Sequence, residues 1–258
     1  MVPKVPIPDW FLAPIKTIGR CNTPLSMLVI GMIVDTDSLE SDLQNGWYLD
    51  SDVPIGYGLG SSGMVVAAVY DRYARNRSQD AMFLKTLFAR MEGNFHGSSS
   101  GVDPLQCYLG KPFKITSEGL ELFDDGFLHS GIQICLIDTN IKSNTKPLVE
   151  YFKRQREDDA FLTGFQNDYL PYVTGCIDTM IQGDVDGFFA MLQGLTLAQR
   201  RFFEPMIPKS TTELFESTYD FRFGVKILGS GGGGYILGFT DDWHKAASVL
   251  QGRDVLWL

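Results

Sequence analysis

The sequence predicts an α+β protein in two lobes, and three observations lead there. Helical and strand-like segments are mixed without the strict alternation of a parallel βαβ chain. In the first half, glycine clusters lead into apolar segments of helical spacing. The second half changes character, with three successive helices and then strands around a glycine run. We place the lobe boundary near Phe127, giving lobes over 1–127 and 128–258, and a chain of 258 residues is long enough for two modest domains.

Residues 1–23 hold Pro3, Pro6, Pro8 and Pro14 and read as extended or irregular, because proline lacks a donor and biases its predecessor away from helix. Residues 37–45 read as a short helix. A glycine cluster then opens a buried, Ala-rich helix over 62–76. Met82, Leu84, Leu87, Phe88 and Met91 recur at helical spacing and predict a helix over 81–91. Residues 97–101 read as a loop and 103–109 as a helix or turn, with strands at 111–116 and 133–138. Helices follow at 147–156, 165–182 and 185–201, with a shorter one at 211–218. Strands at 224–228 and 235–239 flank the glycine run. A helix over 241–250, capped by an aspartate, and a strand over 254–257 close the chain.

Composition narrows the function. Hydrophobic residues make up 44% and charged residues 21%, which suits a folded globular chain rather than a disordered one. The formal net charge of -9 argues against nucleic acid as a partner, though backbone dipoles and a metal can still hold an anionic nucleotide. Cys21, Cys107, Cys135 and Cys176 form no CxxC pair, so a reduced, cytoplasmic setting is expected. The longest apolar stretch, 25–34, is too short to span a bilayer and no cleavage site follows it, so neither a membrane span nor a signal peptide is expected.

Three constellations carry chemistry. The first is Pro54-Ile-Gly-Tyr-Gly58-Leu59-Gly60-Ser61-Ser62-Gly63. Glycines in an extended-to-helix turn let backbone approach a ligand, and the helix that follows presents free N–H groups, which makes a phosphate cradle. The serines add hydroxyls for a phosphate oxygen or a magnesium ion. It has neither the lysine of a Walker loop nor the spacing of a dinucleotide-binding turn. Alone, it reads also as a glycine-rich turn before a packed helix. The second is Glu92-Gly-Asn-Phe-His96-Gly97-Ser-Ser-Ser-Gly101-Val-Asp103, two carboxylates joined by a polar loop that could meet in one cleft, or else a solvated helix end and turn. The third places five glycines and Ser230 between apolar strands, from Gly229 to Gly234. At roughly 0.5–1 kcal/mol of entropy per glycine, such a run needs a reason beyond a hairpin tip.

The first constellation resembles the phosphate-binding motif of GHMP kinases, PxxxGLGSSxxxxxA, with Pro54, Gly58, Leu59, Gly60, Ser61, Ser62 and Ala68 in register. The second is similar to the mevalonate kinase segment E-x-x-x-H-G-x-P-S-G-x-D through Glu92, His96, Gly97, Ser100, Gly101 and Asp103. It departs at Ser99, where that branch usually has proline, and at Pro104, where it usually has asparagine. The third resembles the motif K-x-x-G-x-G-G-G-G, starting at Lys226. A fainter echo, Asp138-Thr139-Asn-Ile-Lys142-Ser-Asn-Thr145, offers Lys142 and Thr145 to a substrate, or a plain strand end with Thr145 capping a helix.

The resemblance implies a two-lobed GHMP kinase fold, with a ribosomal S5 domain 2-like N-terminal lobe and a ferredoxin-like C-terminal lobe. It implies ATP and Mg²⁺ as cofactors. ATP would lie along Gly58, Leu59, Gly60, Ser61 and Ser62, helped by Gly229, Ser230, Gly231 and Gly232. Ser62 and Glu92 would hold Mg²⁺, and Asp103 would be the catalytic carboxylate. His96 reads rather as a packed loop residue. The implied reaction is mevalonate to 5-phosphomevalonate. Another GHMP substrate, such as phosphomevalonate or a sugar, or a catalytically silent nucleotide-binding relative, remains open. Partners would be a small-molecule alcohol and, within a monomer or homodimer, another copy of the chain.

The first family motif is the point of departure. GHMP kinases open with a strand carrying P-G-K-x-x-x-x-G-E-H, far upstream of the phosphate loop. Here only Ala13-Pro14-Ile15-Lys16-Thr17-Ile18 echoes it, with no Gly-Glu after it. Lys16 is therefore the candidate second catalytic residue, and a sequence truncated at this motif is the expectation.

Overall fold

In the computed structural model the chain is described over residues 4–5, 30–96, 99–124, 131–217 and 219–258, with 4–5 and 94–96 as backbone alone. Lys16, Cys21, Gly97 and the expected boundary at Phe127 lie outside these residues, as does most of the proline-rich opening. The chain divides into two compact units. One comprises Met1–Ile55 and Gly60–Phe123, the other Gly56–Leu59 and Asp124–Leu258.

The first unit is mainly helical. Strand β1 (Lys4–Val5) pairs antiparallel with β2 (Leu49–Asp50). Helix α1 (Thr36–Gln44) starts on Asp35, whose carboxylate accepts the Ser38 N–H at 3.2 Å. Helices α2 (Ser61–Tyr73), α3 (Ala81–His96) and α4 (Val102–Leu109) then surround one core, and a hairpin of β3 (Phe113–Thr116) and β4 (Gly119–Leu122) follows. The apolar stripes meet at Val66, Tyr70, Leu84, Phe88 and Leu105, all buried. Tyr70, Phe88 and Tyr108 stack edge to face with centroids 5.1–5.6 Å apart, the arrangement ring quadrupoles favour. Helix α3 runs five residues beyond the expected end at Met91.

The second unit holds a four-stranded antiparallel sheet in the order β6-β7-β5-β8, with β5 (Gln133–Asp138), β6 (Phe223–Ile227), β7 (Tyr235–Thr240) and β8 (Val255–Trp257). Between β5 and β6 lie α5 (Thr145–Gln155), α6 (Asp159–Gly164), α7 (Leu170–Gln182), α8 (Val185–Phe202) and α9 (Thr212–Glu216); α10 (Trp243–Val249) precedes β8. A π-helical turn, Phe165–Tyr169, joins α6 to α7 where one helix over 165–182 was expected. Pro171 explains it: without an N–H and with a ring where a carbonyl would sit, proline shifts the hydrogen-bond ladder one residue upstream.

Helix α8 covers the sheet and its β6 edge. Buried Thr196 donates its hydroxyl to the Val225 carbonyl at 2.8 Å, and the Ile227 N–H donates to the amide oxygen of buried Gln199 at 2.8 Å. Backbone groups that an edge strand would otherwise expose are thereby satisfied from the helix. Asp184 caps α8 and Asp242 caps α10 through its bond from the Lys245 N–H, one residue later than expected. No helix among the described residues is long and apolar enough to cross a membrane.

Candidate functional site

In the first unit, α2 and α4 both begin on a glycine in the left-handed conformation, Gly60 at φ 68° and Gly101 at φ 72°. Neither glycine has a side chain to cap its helix; the Val102 N–H of α4 donates instead to the Ser100 hydroxyl at 3.3 Å, and the uncapped start of α2 presents N–H groups of the kind that hold an anion. Ser61 and Ser62 are the first residues of α2, and Asp103 sits in the first turn of α4.

Close packing brings these two helix starts together. A side chain at Gly63 would place its Cβ 2.6 Å from the Pro104 nitrogen and 3.0 Å from the Asp103 Cβ, so only hydrogen there lets the backbones touch. A Cβ at Gly60 would lie 3.3 Å from that of Asp103. Asp103 therefore lies against the start of α2 although 41 to 43 residues separate it from Ser62 and Gly60 in sequence.

Glu92 completes the cluster from α3. It is 6% exposed, and its carboxylate is held from both sides. The Ser62 hydroxyl donates to Oε1 at 2.7 Å and the Ser99 hydroxyl to Oε2 at 2.5 Å. The Gly101 N–H in turn donates to the Ser99 hydroxyl at 2.9 Å. Such partners are what a buried carboxylate requires. Asp103 keeps an exposed edge, yet partial burial, and secondarily the negative charge of Glu92, raise its carboxyl above the usual aspartate value. No described residues form a cluster of three or more metal-binding carboxylates, histidines or cysteines. One hydroxyl and one carboxylate oxygen 2.7 Å apart nonetheless fit Mg²⁺, which takes one or two protein ligands and fills its octahedron with water and phosphate oxygens.

In the second unit, the glycine run is threaded by three other segments. The Gly234 N–H donates to the Ile141 carbonyl at 2.6 Å, and the Gly232 N–H to the Met206 carbonyl at 2.6 Å. The Ser143 hydroxyl donates to the Gly231 carbonyl at 2.6 Å, while its N–H donates to Gly56 at 3.0 Å. Gly58 meets Gly229 backbone to backbone, and a Cβ at Gly234 would fall 2.5 Å from Tyr57 Cα. The Tyr57 and Tyr235 rings lie 5.0 Å apart. Within this unit the run thus clasps residues 56–58, and the N–H groups of Gly231, Gly232 and Gly234 are spent inside the protein.

Of the sequence-predicted site residues, the structure brings together Gly60, Ser62, Glu92 and Asp103 in one unit. It brings together Gly58, Gly229 and Gly231 with their neighbours in the other. Leu59 and Ser61 continue the chain between Gly58 and Ser62, and Ser230 donates its hydroxyl to that of Thr145 at 3.3 Å. Lys142 lays its aliphatic stem across Gly56. Thr145 is the first helical residue of α5 and not its cap; Asn144 holds the cap position without a side-chain bond. The backbone of His96 ends α3. Sequence reasoning missed Ser143 and Met206, and noted Ser99 only as a departure. Carbonyl acceptors such as those of Ile141 and Met206 carry no residue-type signal.

Against known proteins, residues 30–111 match the family described as the GHMP kinases N terminal domain. No curated protein matches the chain by sequence. Among solved structures, the chain superposes on L. major mevalonate kinase in complex with R-mevalonate at a TM-score of 0.56 and 17% identity, covering 79% of this chain and 63% of that one. Streptococcus pneumoniae phosphomevalonate kinase gives 0.55 at 17% identity, covering 79% and 70%. The same enzyme in complex with phosphomevalonate and AMPPNP gives 0.54 at 14%, covering 78% and 69%. The chain thus spans less than two thirds of the mevalonate kinase it matches. The mixed helix-and-sheet architecture read from the sequence is the one these proteins share. Residues 30–111 thus match the GHMP kinases N terminal domain model, and the chain shares its fold with mevalonate and phosphomevalonate kinases.

Proposed function

We propose that this chain carries the phosphoryl-transfer site of an ATP-dependent small-molecule kinase whose acceptor is an alcohol, with mevalonate to 5-phosphomevalonate as the first reaction to test. The observation that carries it is the joining of Ser62, Glu92 and Asp103 at two helix starts. Phosphoryl transfer asks for little covalent chemistry and much positioning, and this cluster supplies the parts it needs.

Gly58, Leu59, Gly60, Ser61 and Ser62 would cradle the nucleotide phosphates on the N–H groups that open α2. Gly229 supports that cradle by packing against the backbone of Gly58, and Ser230, Gly231 and Gly232 would help hold the nucleotide. Ser62 and Glu92 would hold Mg²⁺, which when bound offsets the negative charge of the phosphates. Asp103 orients the acceptor hydroxyl and takes its proton as the hydroxyl oxygen bonds to the γ-phosphorus and the bond to ADP breaks. Its raised proton affinity makes it a stronger acceptor than a free aspartate. Lys16 stands as the proposed neighbour of the acceptor hydroxyl. Residues 1–127 and 128–258 would be the N-terminal and C-terminal kinase lobes, acting as a cytoplasmic monomer or homodimer.

The test is an ADP-release assay with ATP, Mg²⁺ and a panel of mevalonate, phosphomevalonate and sugars, run beside Asp103→Ala. Turnover of one panel member that falls by about 10²–10⁴-fold in the variant supports the reading. The solved phosphomevalonate kinase structures make phosphomevalonate the second acceptor to score. Nucleotide binding without transfer to any acceptor would leave the silent-relative reading in its place.

A further inference from the structure

We propose that Ser99 is a positioning residue for the metal site: it sets the Glu92 carboxylate so that one oxygen is left for the cation. This rests on the assignment of Glu92 and Ser62 to Mg²⁺ above. A serine hydroxyl has one proton and two lone pairs. The proton of Ser99 goes to Glu92 Oε2 at 2.5 Å, because an ionised carboxylate can only accept, and a lone pair of the same hydroxyl accepts the Gly101 N–H at 2.9 Å. The direction of the bond is therefore determined. Ser99 donates to the carboxylate and neutralises part of its charge at Oε2, which leaves Oε1, paired here with the Ser62 hydroxyl at 2.7 Å, as the oxygen that would turn to a cation held together with Ser62.

The same hydroxyl couples two elements. Gly101 is the N-cap of α4, and Asp103 stands two residues further on. One side chain thus ties the orientation of Glu92 on α3 to the start of the helix that carries Asp103. Proline, which stands at this place in the segment the sequence resembles, could make neither bond. Oε2 of a carboxylate 6% exposed would then lose its hydroxyl partner. Partners of this kind orient metal ligands, and their removal costs about 10–100-fold in metal affinity.

The experiment measures AMPPNP binding to the full chain by calorimetry, once with Mg²⁺ and once with EDTA, for wild type, Ser99→Ala and Ser99→Thr. We expect Ser99→Ala to weaken binding about tenfold with Mg²⁺ and to leave binding in EDTA unchanged. Ser99→Thr, which keeps the hydroxyl, should recover most of the loss. Should the alanine variant not fold, Ser99→Cys, of similar shape but a far weaker donor, gives the same comparison. Equal weakening with and without Mg²⁺ identifies a merely structural role and overturns the proposal, as does wild-type affinity in Ser99→Ala. A wild type whose nucleotide affinity ignores Mg²⁺ removes the metal assignment itself, and with it both this inference and that part of the proposed function.

Discussion

Replacing Gly63 by alanine tests whether the crossing of α2 and α4 is what assembles the site. The added Cβ would sit 2.6 Å from the Pro104 nitrogen, 0.8 Å short of the 3.4 Å at which ordinary contact begins. The obstacle is backbone, with Asp103 backbone carbon at 2.8 Å beside it, so no side-chain rotation relieves it. Helix α4 must retreat by close to an ångström or α2 must bend. Overpacking of this kind costs about 1–3 kcal/mol. For a chain of this length that lowers the melting temperature by roughly 2–12 °C. The retreat also carries Asp103 away from Ser62, and a misplacement of about 1 Å costs on the order of 10²-fold in rate. Thermal unfolding and ADP release, measured on the same preparation, read the two effects separately. A variant that melts within a degree of wild type would refute the reasoning, because the clash would then have been absorbed without moving either helix.

Two more predictions accompany those for Asp103 and Ser99. Gly234→Ala requires a left-handed alanine at φ 69°, about 1–2 kcal/mol by itself, and drives a methyl into Tyr57; urea unfolding should show a loss of at least that size. Burial pushes the Cys135 and Cys176 thiols up to about 12, so neither forms appreciable thiolate at pH 8. Alkylation of the native protein, mapped by mass spectrometry, should leave both unlabelled while exposed Cys107 reacts, and full labelling should need denaturant.

Much of the fold was legible because period and punctuation agree. The stripe Leu84, Leu87, Phe88 and Met91 announces a core helix, and those residues are buried. The expected end of α3 at Met91 followed the last residue of that stripe, and the helix continues to His96. The sequence read 165–182 as one helix because the effect of Pro171 on the turn before it depends on how the chain satisfies the lost bond. The short strands β2 and β4 went unread, since two to four residues with little alternation carry almost no periodic signal.

By itself the sequence determined the inventory of the candidate site: which glycines, hydroxyls and carboxylates are present, and in what order along the chain. Residue type and spacing suffice for that, because a glycine-rich turn into a helix has the same backbone options wherever it occurs. Only the tertiary structure decided which of them meet. The bonds from Ser62 and Ser99 to Glu92 span 30 and 7 residues, and the clasp of Gly234 on Tyr57 spans far more. Those contacts come from helix crossings and backbone acceptors, and a carbonyl oxygen or a missing Cβ contributes through where it lies in space, which residue type does not encode.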